Sequence, residues 1–448
     1  MATDNSKNIL FNSQLLVKSI IGQLRLTSGW LAHADKTPQS MHSIPGQEGP
    51  TVYYLRQFQF DSQDTLDVEE NAQNMVVRTF EFSIDQKVSV PVSYSYEQIF
   101  NGQVMPFMEY IGKSLVEAGS ARVEKYIANR VGTDITKFYG NGVDKIDNLQ
   151  TLSRIKNRLK DFGATEQGSF IVYPETMMDT LAQNSLQYSF APKRNDQIAS
   201  TWDVPYIGNV PIVTPSAIMP WYSGVLGNTT DNKVFLSNIT RNTSGAITHL
   251  TLSKCSGVTV SGSGTVKVGD LFQTVDAGVS GAADVKFKKF NGDLSSQWPF
   301  QFKSNSAINI GGGASFTMEL AEPIIDSVAK TTDPRQVVTI SRDLLVSATE
   351  ASADKFTCMP NHRKCAIVMS KGLLAAMPAL NNYNPTDGTR SVITDPESNI
   401  SMTLARKLYA MKNSGMTSVF GIYDARFVND TCAQILMPLT DPAIVTGT

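Results

Sequence analysis

The residues best suited to chemistry in this chain are few. Cys358, His362 and Cys365 stand in a C-x3-H-x2-C pattern, half of a metal site by residue type. Zinc needs a fourth ligand and usually tighter paired spacing. The other cysteines (Cys255, Cys432) and histidines (His33, His42, His249) form no second cluster, so no metal is expected. The cysteines read as free thiols in a reducing compartment, because a chain of 448 residues needs no disulfide framework. Gly311-Gly312-Gly313 precedes a strand rather than linking strand to helix, which marks a turn and not a phosphate cradle. No G-x-S-x-G elbow, Walker sequence, dinucleotide fingerprint or H-E-x-x-H is present. No catalytic residue and no cofactor are expected, and the chain does not read as an enzyme.

Charged groups cluster without pairing into a site. Asp64, Asp67, Glu69 and Glu70 lie in one acidic stretch, with Arg56 before it and Arg78 after it. Carboxylates so placed read as a solvated tip. Lys286, Lys288 and Lys289 alternate with Phe287 and Phe290, a pattern that could suit nucleic acid but reads better as an edge strand guarded by lysines.

The elements that must carry these residues centre on Met105–Val131. Apolar side chains recur there at Met108, Ile111, Leu115, Val123, Tyr126 and Ile127, close to helical spacing. Pro106 suits a first turn, and Gly132 reads as a left-handed cap. About 27 residues at roughly 1.5 Å each make a rod of roughly 40 Å. Before it, residues 8–26 carry an apolar stripe that includes Ile9, Leu15, Leu16, Ile20, Ile21 and Leu24, expected as a helical arm docking elsewhere, with a neighbouring subunit as one candidate. Pro38, Pro45 and Pro50 then mark an extended linker. Thr51–Phe60 and Met75–Tyr94 alternate as strands and predict a long two-stranded tongue with the acidic stretch at its tip. A lone hairpin is marginal in water, so such a tongue needs a partner surface.

After the rod, Leu149–Phe162 is amphipathic and ends at Gly163; Phe170–Tyr173 reads as a buried strand followed by a helix from Pro174. Residues 223–321 turn rich in Gly, Ser, Thr and Val, with short strand-like runs separated by turns, which predicts an all-β domain inserted into an α/β host. Beyond it, RKCAIVMSKGLLAAMPAL reads as strand then helix, followed by strands at SMTLARKLYAM, SVFGIYDARF and CAQILMP.

The net charge is −2 and charged residues make up 18%. That excludes the basic excess of a DNA-reading domain and suits a surface largely covered by other subunits. The N-terminus lacks a signal-peptide pattern, and no run reaches 18 apolar residues, so no membrane span is expected. The Asn-x-Ser/Thr matches at Asn228, Asn238, Asn242, Asn399 and Asn429 carry little meaning without secretion.

The order of parts resembles the major capsid proteins of tailed phages with the HK97-like fold, an α+β class. The resemblance assigns residues 1–50 to an N-terminal arm, 51–95 to the E-loop tongue and 96–132 to the spine helix of the P-domain. Residues 133–222 then fall to the first part of the A-domain, 223–323 to an inserted domain and 324–448 to the A- and P-domain return. The insert is similar to the β-barrel domain of short-tailed podovirus coat proteins: Lys267, Gly269, Asp270, Phe272, Phe302 and Pro323 occupy the places of its turn and core residues. Gly269-Asp270 would make the turn, and Phe272 and Phe302 would fill the barrel.

The resemblance implies a structural coat protein forming an icosahedral head around double-stranded DNA, met without sequence readout. It implies a shell of hexamers and pentamers, a scaffolding protein, one portal vertex, a virion location and assembly in the host cytoplasm. The expected inter-subunit contacts are Leu15, Leu16, Ile20, Arg56, Asp64, Asp67, Glu69, Glu70 and Arg78. Residues 51–86 contain no lysine, so covalent tongue cross-linking through a lysine is not expected there. The alternatives are a nanocompartment shell of the same fold and a glycan-binding protein with a β module, for which the insert offers Trp298 alone.

Overall fold

The computed structural model describes residues 29–36, 51–55, 79–95, 104–188, 198, 201, 204–215, 217–228, 232–255, 264–276, 283–289, 295–310, 315–326, 338–377, 389–394, 401–409 and 414–439. The chain opens with a short helix, α1 (Gly29–His33), then strands β1 (Thr51–Leu55), β2 (Thr79–Ser83) and β3 (Gln86–Ser95). The rod is α2 (Val104–Asp134). Then come β4 (Phe138–Tyr139), α3 (Leu149–Leu159), β5 (Phe170–Val172), α4 (Met178–Tyr188), β6 (Tyr206–Ile207), β7 (Val210–Val213) and β8 (Pro220–Trp221).

The all-β region follows: β9 (Lys233–Arg241), β10 (Ile247–Lys254), β11 (Gly264–Val266), β12 (Leu271–Asp276), β13 (Lys286–Lys288), β14 (Ser295–Pro299), β15 (Gln301–Lys303), β16 (Ile308–Ile310) and β17 (Ser315–Ile325). The return runs through β18 (Val338–Thr339), β19 (Lys355–Cys358), β20 (His362–Val368), β21 (Leu373–Ala376), β22 (Thr389–Thr394), β23 (Ser401–Tyr409), β24 (Ser414–Phe427) and β25 (Cys432–Met437).

Three large sheets organise the described residues, beside the two-stranded pairs β1-β2, β11-β16 and β13-β14. The central one has the order β4-β25-β20-β5-β7-β6, with β8 pairing β20. Its strands β5 and β25 are buried at every residue, as strands covered on both faces must be. Leu152, Ile155 and Leu159 of α3 join the core on one face. Val123, Ile127 and Val131 of α2, four residues apart, pack on the other with Phe170, Val368 and Phe427. A second sheet places β24 between β23 and β3, with β21 pairing the last residues of β24 (Asp424–Phe427) and β22 beyond β23.

The third sheet is the all-β region, ordered β15-β12-β19-β9-β10-β17-β18. Its ends meet. Ser304, just past β15, forms an antiparallel bridge with Leu320 of β17, and Asn305 N–H donates to Glu319 C=O at 2.9 Å. β15, β12, β19, β9, β10 and β17 therefore close into a barrel, and β18 lies outside it. The interior holds Leu236, Leu250, Leu252, Met318 and Leu320 with the aromatic rings of Phe272, Phe302 and Phe356.

Several sequence expectations are corrected here. The tongue ends at Ser83. Among the described residues β1 pairs β2 alone, while β3 turns away after Ile84 and Asp85 to pair with β24; the unbroken alternation of 75–94 hides that bend. The barrel does not close within 223–323, because β19, drawn from beyond that boundary, sits between β12 and β9. Arg342 pins the segment before β19 by a two-point pair to fully buried Asp354, at 2.6 and 3.0 Å. Residues 373–376 form a strand rather than a helix, since β24 and the chain at Asp35 flank them on both sides. The rod runs through Gly132 to Asp134, so Gly132 is no cap. It is small because Lys364 lies against it: a methyl group there would collide with the Lys364 amine. Elsewhere α3 ends as expected, with Gly163 at φ 82° in the left-handed region. Among the described residues no helix is long and apolar enough to cross a membrane.

Candidate functional site: the barrel junction and the arm anchor

The end of α2 is where helix, barrel and central sheet meet. A helix terminus leaves carbonyls without partners and carries partial negative charge. The last turn of α2 contains no basic residue, so the cations come from elsewhere. Lys303 of β15 donates to the carbonyls of Gly132 (3.3 Å) and Thr133. Lys364 of β20 lies beside Gly132 with its amine 4.5 Å from the Trp221 ring centre. Burial pulls both amines down to about 8, and the Lys303 charge adds to the effect on Lys364.

Just past the helix, the barrel grips β4 through one side chain. Gln301 Oε1 accepts from Phe138 N–H at 2.8 Å and its Nε2 donates to Phe138 C=O at 2.8 Å. The carboxamide thus covers the free edge of β4 as a strand would. Trp298 Nε1–H also donates to Oε1 at 2.8 Å, and Nε2 donates to Gln273 Oε1 at 3.0 Å. On the far side, Asn429 accepts from Thr136 N–H at 2.7 Å and donates to Glu322 of β17 at 2.7 Å.

A charged knot ties α2 to β24. Arg130 pairs with Asp134 at 3.2 Å, and Arg426 reaches Asp134 at 3.8 Å and Asp424 at 3.3 Å. Tyr126 donates its hydroxyl to Asp424 at 2.5 Å. Burial lifts Asp134 to about 6 despite Arg130, and lifts Asp424 to about 6 despite the Tyr126 hydrogen bond. These groups cap, pair and brace; their arrangement offers cohesion rather than a reaction.

The start of the described chain is anchored on the same body. Trp30 is fully buried, its ring edge-on to Phe170 (6.2 Å) and Phe427 (5.8 Å). Its Nε1–H donates to Ala217 C=O at 3.1 Å. Asp35 N–H donates to Leu373 C=O at 2.7 Å, and Ala375 N–H donates to Asp35 C=O at 2.9 Å, so the chain leaves along the edge of β21. Residues 29–36 thus lie on the subunit's own core, while the stripe at 8–26, expected to dock elsewhere, lies outside the described residues.

Of the residues singled out in the sequence, the insert set comes together. Gly269 has φ 96° and lies against the Trp221 ring, where a side chain would not fit. Asp270, fully buried, accepts from Lys267 N–H at 2.8 Å and Gly224 N–H at 3.1 Å, joining the turn to the chain that enters the barrel. Phe272 and Phe302 are cross-strand partners and stack at 5.1 Å with planes 5° apart. Phe356 meets Phe302 edge-on at 5.0 Å.

Cys358 and Cys365 are buried free thiols, pushed up by burial. His362 turns its Nδ1 to Pro360 C=O at 2.7 Å, and burial holds the ring down to about 4. Lys286 and Lys288 flank buried Phe287 on β13, which pairs β14, and Lys289 pairs with Asp161 at 3.3 Å. Leu15, Leu16, Ile20, Arg56, Asp64, Asp67, Glu69, Glu70, Arg78 and the three-glycine run lie outside the described residues.

Sequence reasoning missed Gln301, Lys303, Asp134, Asp424 and Trp30. Only Trp30, a lone large aromatic beside an amphipathic arm, left a readable signal.

No family model matches this chain, and no curated protein does. Among solved structures it is similar to the capsid of Ralstonia phage GP4, with 9% identity and a TM-score of 0.41 over 92% of this chain and 89% of that one. A structure from Mycobacterium phage Che8 gives 8% identity and 0.39 over 91% and 90%. The capsid of Cyanophage P-SCSP1u gives 7% and 0.37 over 89% and 86%.

Proposed function

We propose that this chain is a structural major capsid protein of tailed-phage type, many copies of which close a virion shell. One observation carries the reading. The β1–β2 ribbon pairs with no third strand among the described residues. Two strands alone are marginal in water, so the ribbon calls for a surface on another copy. The order around it fits the family resemblance: anchored N-terminal segment, ribbon, a helix of 31 residues, a mixed body and an interposed β-barrel.

In this reading β1–β2 is the E-loop and α2 the spine helix. The copies form hexamers and pentamers, with a scaffolding protein and a portal joining in the host cytoplasm and double-stranded DNA filling the head. The glycan-binding alternative loses its platform, since Trp298 is 1% exposed and spends its N–H on Gln301 at the junction of barrel and β4.

The test is negative-stain microscopy and sedimentation of the purified full chain, alone and with the scaffolding protein from its own source. Closed particles tens of nanometres across are expected. A monomer or dimer that persists at high concentration with that scaffold present refutes the proposal.

A further inference from the structure

We propose that Trp30 is a positioning residue for assembly: it tethers the N-terminal 28 residues to the body of the subunit, and shell formation depends on that tether. The inference rests on the capsid reading above.

The seat is built around this one side chain. Gly29 is held where a methyl would press on Val213 and Pro215 at 3.0 and 3.1 Å. Phe170 and Phe427 present ring faces or edges from two sheets, Val123 and Ile127 close the side from α2, and the Ala217 carbonyl takes the indole N–H. Five residues later the chain is fixed again by the two Asp35 backbone bonds on β21. The segment that contains α1, five residues long, is therefore held at two points. A buried aromatic with its polar end satisfied makes an efficient anchor. What lies upstream is the stripe of Ile9, Leu15, Leu16, Ile20, Ile21 and Leu24. A tether fixes the point at which the chain joins the body in every subunit; an ordinary core side chain has no such duty.

The two roles separate by chemical rescue. Trp30→Gly leaves an apolar cavity with an acceptor at one end, of the kind that takes up a free aromatic. Free indole refills the seat but is not attached to the chain. We expect Trp30→Gly to lower the melting temperature and to cut the yield of sedimenting particles at least tenfold. Added indole restores the melting temperature and leaves the yield low. Trp30→Phe, which keeps a ring and the attachment, retains assembly. If indole restores particle yield together with stability, or if Trp30→Gly assembles as the wild type does, Trp30 is a core residue and the proposal is wrong. Should Trp30→Gly fail to fold, Asp35→Pro is the second variant. It removes the bond to Leu373 while keeping the indole seated, and a wild-type yield from it overturns the two-point tether. Failure of the wild type to form particles under any condition refutes the capsid reading itself.

Discussion

Replacing Gln301 by leucine tests whether the barrel is locked to the body or merely rests on it. The substitution keeps the volume nearly constant and removes every polar atom of the carboxamide. Three buried groups then lose a partner: Phe138 N–H, Phe138 C=O and Trp298 Nε1–H. Phe138 is fully buried and Trp298 is 1% exposed, so water cannot easily replace the lost bonds. An orphaned buried group costs about 1–3 kcal/mol. Three in one place relax together, and leucine regains some apolar burial, so the expected loss is about 3–5 kcal/mol rather than the full sum.

The loss is local to the junction, and that sets the assay. Amide hydrogen exchange over residues 135–140 reads the Phe138 N–H directly, and Trp298 fluorescence follows denaturant unfolding of the barrel. The variant should exchange faster at Phe138 by two to three orders of magnitude and unfold at lower denaturant. Gln301→Glu sharpens the test. Its carboxylate can accept from both N–H groups but cannot donate to Phe138 C=O, whereas its protonated form can. That variant should regain protection as pH falls. If Gln301→Leu exchanges and unfolds as the wild type does, the four hydrogen bonds of Gln301 are incidental and the junction is held by packing alone.

The remaining expectations follow from the same contacts. Residues 223–323 expressed alone should give a poorly dispersed NMR spectrum, while 223–360, which includes β19 and Phe356, should fold; a well-dispersed spectrum from the shorter piece would refute the barrel assignment. Asp134 and Asp424, raised to about 6 in the fold against about 4 unfolded, bind more protons folded than unfolded. Their contribution is full below pH 4 and is lost as pH rises through 6, by up to about 3 kcal/mol each. His362, lowered to about 4, acts in the opposite sense over pH 4–6.5, so the check is the difference in denaturation midpoint between wild type and Asp134→Asn, which should change steadily from pH 4 to 6 and not be flat. Cys358→Ser with Cys365→Ser should leave particle assembly intact, and loss of a stoichiometric zinc on substitution, measured by elemental analysis, would contradict the free-thiol reading. Glu69→Lys with Glu70→Lys should reduce particle yield, more at low salt where repulsion is least screened; equal yield at every salt concentration would show that the acidic stretch takes no part.

What could be read from the sequence was what repeats locally. The apolar spacing of Leu152, Ile155 and Leu159 and the glycine after Phe162 define α3 and its end without help from the rest of the chain. Alternation gave the barrel strands, and the Phe272–Phe302 stack follows from two short runs of recognisable pattern. What could not be read depends on distant partners. β19 alternates, but over four residues only, too short a run to mark a strand in the sequence, and it is the gap between β12 and β9 that gives it a place. Leu373–Ala376 favours helix by propensity, yet β24 and Asp35 offer it two ladders. The partner that caps α2, Lys303, lies 170 and 171 residues from the carbonyls it holds, so the sequence around Gly132 suggested a local cap that the fold does not use.

Several of the missed long-range polar contacts share a location, and that location has a mechanical meaning. They end on residues 126–138. Lys303 and Gln301 come from β15, Glu322 reaches in through Asn429, and Arg426 and Asp424 come from β24. A rotation of the barrel cannot leave the end of α2 unmoved, because Lys303 holds its carbonyls while Gln301 holds the next strand. A tilt of α2 against the second sheet must in turn break the Asp134–Arg426 contact. Groups that share one rigid attachment do not contribute independently. Gln301→Leu combined with Arg426→Ala should therefore depart from additivity, although the two residues belong to different sheets, and strict additivity would mean that the barrel and the second sheet grip α2 separately.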